Sequence, residues 1–320
     1  MSAFGWSSTT DEVLEGKDLS GQVVFITGAN SGLGQETARA IAAKGAHVVM
    51  AGRDQAKLDE AVAAILASVS DAQLDTITVD LGSLESIRAA TSRARQRFDK
   101  IDILINNAGV MACPFTHTAD GFEMQLGTNH FGHFALTGEL MPLIERGTAK
   151  RIVNLSSRGH HMGPVHFDDP NFQHRPYDPW SSYGQSKTAN ILFSVGLEQR
   201  YAVLGIHAYA VHPGGIETNL GRHMTQDMRD ALMARISKSD AGFAWKTIPQ
   251  GAATSCWAAT ASELEGGSGI GGGVYCEDCH VAEVDDESST GGVRSYALNP
   301  SFADQLWKLS EELTGTKFPS

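Results

Sequence analysis

From Gln22 onward the chain alternates short β-branched apolar runs with stretches of about a dozen residues whose apolar positions recur at helical spacing. Val23–Thr27, His47–Ala51, Thr76–Val79, Ile101–Ile105, Arg151–Leu155, Ile206–Val211 and Gly273–Tyr275 read as strands. Several are apolar throughout, which suits strands buried on both faces. Between them, Gly32–Lys44, Gln55–Val69, Ser83–Phe98, Phe122–Ile144, Ser182–Tyr201 and Gln250–Ala261 read as helices, with Ala-rich pieces suited to close packing on a sheet. The alternation predicts an α/β protein: a doubly wound parallel sheet of about seven strands, helices on both faces, in one domain over 21–282.

Three segments fall outside this repeat: an N-terminal arm (1–20), the stretch Arg158–Trp180, and a tail (283–320). The middle segment is rich in His, Asp, Pro and aromatic residues and separates a strand end from a helix, so it is placed to line a pocket. Its histidines lack the regular helical pair that a ligand set needs, and no metal site is predicted. The tail pairs an acidic, Gly/Ser-rich link (Asp285–Gly292) with an amphipathic helix (Phe302–Leu313). Asn219–Trp245, with Leu220, Met224, Met228, Leu232, Met233, Phe243 and Trp245 among polar residues, reads either as a lid over an apolar substrate or as an amphipathic helix packed on the domain.

Charge narrows the partners. Lys plus Arg total 25 against 37 Asp plus Glu, a net charge of −12 that repels a phosphate backbone, so no nucleic-acid partner is expected. No apolar stretch approaches the roughly 20 residues of a membrane span. Met1–Gln22 is polar and carries four acids, which predicts no secretory signal and a cytoplasmic location. Four scattered cysteines build no disulfide framework. Cys276-Glu277-Asp278-Cys279-His280 matches a c-type haem attachment site formally, but that modification requires export. Zinc needs about four ligands and no second Cys pair exists. The segment reads as a strand end running into a loop.

Two groups of residues carry chemistry. Gly28, Gly32 and Gly34 follow the first strand and open a helix, so backbone N–H groups and a positive helix end face the turn, where a diphosphate fits. The spacing departs from Gly-x-Gly-x-x-Gly, and a plain Gly-rich turn is the competing reading. The second strand ends at Ala51-Gly52-Arg53 without the carboxylate that would bind an NAD ribose; Arg53 can grip a phosphate, with neutral hydrogen bonds from Asn30 and Ser31. NADP is preferred over NAD, and Asp54 reads as the next N-cap. Downstream, Tyr183 and Lys187 lie four apart on one helix, where an ammonium can favour a phenolate. Ser156 and Ser157 point to opposite faces, so only one can meet a substrate.

These residues resemble the short-chain dehydrogenase/reductase family over Leu19–Ala282, and their detailed wording is closest to the retinol dehydrogenase-like branch. The run Thr27-Gly28-Ala29-Asn30-Ser31-Gly32-Leu33-Gly34 looks like its cofactor turn, Asp80-Leu81 like its adenine contact, and Asn106-Asn107-Ala108-Gly109 like its central-strand motif. Pro213-Gly214-Gly215-Ile216-Glu217-Thr218 looks like the loop that meets the nicotinamide. The second glycine of that loop, the Cys276–His280 ending and the acidic tail depart from the branch, which bears on substrate identity.

The resemblance implies a Rossmann-type fold and an NADP(H)-dependent oxidoreductase that interconverts a carbonyl and an alcohol, with a lean toward a lipophilic substrate. Asn129, Ser157, Tyr183 and Lys187 match its catalytic residues. Ser157 is expected to bind the substrate oxygen, Tyr183 to exchange its proton, Lys187 to lower the tyrosine pKa and hold the nicotinamide ribose, and Asn129 to anchor a water. Relatives associate through the Phe122 and Tyr183 helices, whose apolar positions suggest a homo-dimer or homo-tetramer. The alternative is a catalytically silent dinucleotide-sensing or partner-binding protein on the same fold.

Overall fold

The structure is a computed structural model that describes residues 3–239, 243–264 and 271–319. In chain order it runs α1 (Thr10–Val13), β1 (Val23–Thr27), α2 (Gly32–Ala42), β2 (His47–Gly52), α3 (Gln55–Ser68), β3 (Gln73–Thr78), α4 (Leu84–Arg97) and β4 (Ile103–Asn106). The second half continues with α5 (Met124–Leu126), a π-helical turn (Gly127–Phe131), α6 (Gly132–Ile144), β5 (Arg151–Leu155), α7 (Pro179–Tyr201), β6 (His207–His212), α8 (Gln226–Ser239), α9 (Ile248–Thr260), β7 (Val274–Glu277), β8 (His280–Val281) and α10 (Pro300–Thr314).

The sheet order is β3-β2-β1-β4-β5-β6-β7-β8, and every pair from β3 to β7 is parallel. The seven expected strands are joined by an eighth. Asp278 and Cys279 both adopt left-handed φ, which folds the chain into a two-residue hairpin and lays β8 antiparallel on β7. All four cysteines are buried free thiols. The strand order reverses between β1 and β4, where doubly wound sheets open a crevice at the strand C-termini.

Sequence chemistry sets the helix starts. Asp54, Ser83 and Asp178 cap α3, α4 and α7 with side-chain oxygens, and Pro179 occupies the first turn of α7. One core lies between the sheet and α2, α3 and α9, and takes in Val13, Leu14 and Leu19 of the N-terminal arm. A second lies against α4, α6 and α7, and two smaller clusters lie under the insert and the tail.

The apolar faces of α6 and α7, expected to be open for self-association, are covered by the chain's own tail. Trp307 of α10 stacks edge-on with Phe134 at 5.1 Å, Phe318 lies 4.5 Å from Trp307, and His130 hydrogen-bonds Ser310 at 2.8 Å. The amphipathic α10 buries its apolar stripe there.

Candidate active site

β1 ends at Thr27 and turns sharply at Gly28, whose φ is +65°; a Cβ there would sit 2.9 Å from the Ala108 Cα. Only glycine lets the turn approach β4 this closely. The Thr27 hydroxyl accepts from the N–H groups of Asn107 and Ala108 at 2.9 and 3.0 Å, and Asn107 Nδ2 donates to the Thr27 carbonyl at 2.8 Å. Ser31, at the N-cap of α2, forms no side-chain cap, unlike Asp54, Ser83 and Asp178. The first N–H groups of α2 and its positive end are therefore left to the crevice.

That crevice has a volume of about 1290 Å³ and is bordered by every residue expected to hold a cofactor, together with Ser157, Tyr183 and Lys187. It exceeds the usual range of about 300–1000 Å³ for one small ligand, as a dinucleotide beside a substrate requires. Gly28, the uncapped α2 terminus and Arg53 beyond Gly52 fit a dinucleotide along it. Asn129 does not border the crevice; it lies in the π-helical turn, completely buried.

The catalytic candidates converge where β5 meets α7. Ser157 opens a short 3-10 turn (Arg158–Met162); its Oγ accepts from the Gly159 N–H at 3.0 Å and hydrogen-bonds the Tyr183 phenol. Ser156 faces the other way and donates to the Lys187 carbonyl at 2.9 Å, so Ser157 is the serine that meets the cleft. A Cβ on Gly159 would lie 2.8 Å from Tyr183 Cε1, so the turn's close approach fixes the ring. Lys187 Nζ lies 5.5 Å from the Tyr183 ring centroid and donates to the Leu155 carbonyl at 2.9 Å.

The electrostatics of this pair differ from the expectation. Burial pushes the Tyr183 phenol up to about 12, against a smaller downward pull from the Ser157 hydrogen bond. Burial pulls the Lys187 ammonium down to about 7. The lysine therefore does not depress the tyrosine in this arrangement. Its amine is turned to the Leu155 carbonyl, and desolvation opposes charge on both groups.

Asn129 is likewise committed. Its Oδ1 accepts from the Val110 N–H at 2.8 Å, and its Nδ2 donates to the Val110 carbonyl and to Ser186 Oγ, both at 2.9 Å. Its carbonyl pairs with His133 Nδ1 at 2.9 Å. The side chain thus ties the strand loop after β4 to α7, with both Nδ2 hydrogens used and one Oδ1 lone pair left over.

The insert, expected to line a pocket, brings Met162 and Trp180 to the cleft, whereas Glu287, Ser288 and Arg294 of the tail lay outside the sequence reading. The tail is held there by the Arg294 N–H on His160 Nε2 at 3.2 Å and the Tyr296 hydroxyl on the His160 carbonyl at 2.5 Å. No sequence signal marks that docking. His212 Nδ1 accepts from the N–H groups of Arg158 and Gly214 at 3.3 and 3.4 Å, joining the serine turn to the Pro213 loop. Beyond Thr218, Leu232, Met233 and Ile236 of α8, with Phe243 and Trp245, border the cleft as a lid would; residues 240–242 of that segment lie outside the described residues. Among the described residues no group of three or more His, Cys, Asp or Glu is placed to hold a metal ion, and no helix is long and apolar enough to cross a membrane.

A dinucleotide cleft at the β1/β4 switch point, with Ser, Tyr and Lys side chains at its inner end, defines a nicotinamide-dependent oxidoreductase of alcohols and carbonyls. The chain belongs to the short chain dehydrogenase family, whose model matches residues 22–229. It is 40% identical over 300 residues to retinol dehydrogenase 12 of Mus musculus, covering 94% of this chain and 88% of the relative. It is 37% identical over 322 residues to the short-chain dehydrogenase TIC 32 B, chloroplastic, of Brassica napus, covering 98% and 94%. Among solved structures, an uncharacterised Mycobacterium paratuberculosis protein matches with a TM-score of 0.72 and 34% identity, over 99% of this chain and all of that one.

Proposed function

We propose that the protein is an NADP(H)-dependent oxidoreductase that interconverts an aldehyde or ketone with the corresponding alcohol, on a lipophilic substrate. The observation that carries the reading is the convergence of Ser157, Tyr183 and Lys187 at the inner end of one cleft whose outer end is the Gly28–Gly34 turn.

The cofactor supplies or accepts the hydride, and the protein supplies orientation and a proton. Ser157 donates to or accepts from the substrate oxygen, within reach of the phenol it already hydrogen-bonds. Tyr183, protonated at neutral pH, is the acid in the reducing direction and hands its proton to that oxygen. Lys187, held near pH 7, can take up and release a proton at working pH and so resupplies the site. Asn129 positions the loop after β4 against α7. Thr218, Ile216 and the Pro213-Gly214 turn form the remaining wall.

NADP(H) is supported by Arg53 and by the absence of a carboxylate at the end of β2. A lipophilic substrate is supported by Leu232, Met233, Ile236, Phe243 and Trp245 over the cleft and by the relative named a retinol dehydrogenase. A cytoplasmic location is supported by the four free thiols; cell fractionation tests it, and the chloroplastic relative names the competing compartment. The decisive experiment follows NADPH oxidation against a panel of lipophilic aldehydes and ketones, with NADH in parallel. Turnover with NADPH supports the reading, whereas tight NADPH binding with no consumption across the panel identifies a dinucleotide sensor instead.

A further inference from the structure

We infer that Arg222, on the lid, joins Arg53 across the cleft to form a two-guanidinium clamp for a phosphate monoester, the 2′-phosphate of NADP(H). The inference rests on the NADP(H) reading and gives it a second recognising residue, on a different element.

Placement comes first. Thr218 Cγ2 lies 3.7 Å from where a Cβ on Gly32 would sit, so the lid begins directly over the cofactor turn. From there a 3-10 helix (Asn219–His223) is pinned locally: the Leu220 N–H donates to Thr218 Oγ1 at 3.4 Å, Arg222 Nη1 to the Asn219 carbonyl at 3.1 Å, and Arg229 Nη2 to the Gly221 carbonyl at 2.8 Å. Arg222, Arg53 and Lys57 all border the same cleft.

Charge comes second. Burial and the neighbouring Arg53 both hold the Arg222 guanidinium below its ordinary value, and His223 is lowered by burial and by the same two arginines. No carboxylate intervenes. Among the described residues Arg53 makes no hydrogen bond or ion pair, and the one hydrogen bond of Arg222 goes to backbone. Of the acids that border the cleft, Asp80 accepts from the Gly82 N–H at 2.9 Å. A chain with 37 acids and 25 bases has carboxylates to spare. Two arginines that feel each other's charge across one cleft, with no carboxylate paired to either, repel until an anion comes between them.

The fork geometry of guanidinium suits the terminal oxygens of a phosphate monoester. The diphosphate has its own donors in the uncapped N-terminus of α2, and the end of β2 is where the adenosine ribose rests in this fold. The clamp is therefore assigned to the 2′-phosphate.

The test measures NADPH and NADH affinity by protein fluorescence quenching for the parent chain, Arg53→Ala, Arg222→Ala and the double variant. Arg222 is exposed, and NADH binding reports that each variant is folded. Arg222→Ala should weaken NADPH roughly ten- to a hundredfold, the range for losing a charged hydrogen bond, and leave NADH within about twofold; the double variant should bind the two alike. Equal losses for NADPH and NADH overturn the inference and assign Arg222 to the diphosphate. So does an unchanged NADPH affinity in Arg222→Ala while Arg53→Ala abolishes the preference, an outcome that leaves the NADP(H) reading standing. A parent chain that prefers NADH defeats that reading itself.

Discussion

His133 and Thr27 hold the two halves of the site together: the imidazole Nε2 lies 2.9 Å from the threonine Oγ1, and the ring's other nitrogen reaches the Asn129 carbonyl. Burial lowers the His133 pKa to about 4, so the ring is neutral, donating through Nδ1 and accepting through Nε2. The same threonine oxygen accepts two N–H groups of the β4 loop. Thr27→Val should cost at least about 1–3 kcal/mol in urea denaturation, since buried donors lose their acceptor, while Thr27→Ser should stay close to the parent.

Tyr183→Phe keeps the ring and removes the proton. Turnover should fall by about 10²–10⁴ with NADPH affinity unchanged. Steady-state rates with fluorescence-measured cofactor affinity check this, and a variant that retains most of its activity removes Tyr183 from the mechanism.

Gly159→Ala places a methyl against the Tyr183 ring, where a Cβ would lie 2.8 Å from Cε1. The phenol must shift, and a displacement of order 1 Å can cost about a hundredfold in rate. The expected result is a fall in kcat with cofactor affinity retained, read by kinetics and cofactor titration.

Three buried histidines and the half-buried His212 set the acid limit of the fold. Burial pulls His130 and His160 down to about 3, His133 to about 4, and His212 well below its ordinary 6.5. The unfolded chain gains protons below about pH 6.5 that the native state refuses, so stability must drop as pH falls from there toward 4, by up to about 1.4 kcal/mol per pH unit per histidine. Denaturation midpoints at pH 7.5, 6 and 5 give the slope. His130→Phe, within an aromatic cluster of Phe131, Phe134 and Phe193, should flatten it by one histidine's share.

Trp307 is 5% exposed and packs on Phe134, Phe193 and Phe318, with the Arg200 guanidinium 4.3 Å from its ring centroid. Trp307→Ala should cost about 3–5 kcal/mol. Removing 300–319 uncovers the apolar faces of α6 and α7, and light scattering should then show self-association that the full chain lacks through this surface.

The strands were legible because parallel strands buried on both faces leave continuous apolar runs, as in Val23–Thr27 and Arg151–Leu155. β3 was placed three residues late because Gln73, Leu74 and Asp75 lie on a sheet edge, where one side can be polar. β8 was missed because its two residues are defined by a hairpin that places Asp278 and Cys279 in left-handed conformations, which neither residue type announces. The π-helical turn at Asn129 left no trace in the pattern either, since one misplaced backbone bond does not disturb apolar spacing.

Local chemistry in the chain was enough to specify the parallel sheet, the glycine turn, the helix that carries Tyr183 and Lys187, and, by strand alternation, that only one of Ser156 and Ser157 meets the cleft; the family resemblance named Ser157. Such features depend on near neighbours, whose spacing is written in the order of residues. Long-range packing settled the rest: which carbonyl holds the Lys187 amine, how far burial shifts it and Tyr183, the hydrogen-bond partners of Asn129, the tail laid over α6 and α7, and the placing of Arg222 and Arg53 on one cleft. Desolvation and hydrogen-bond pairing depend on groups far apart in the chain that meet only when the cores close.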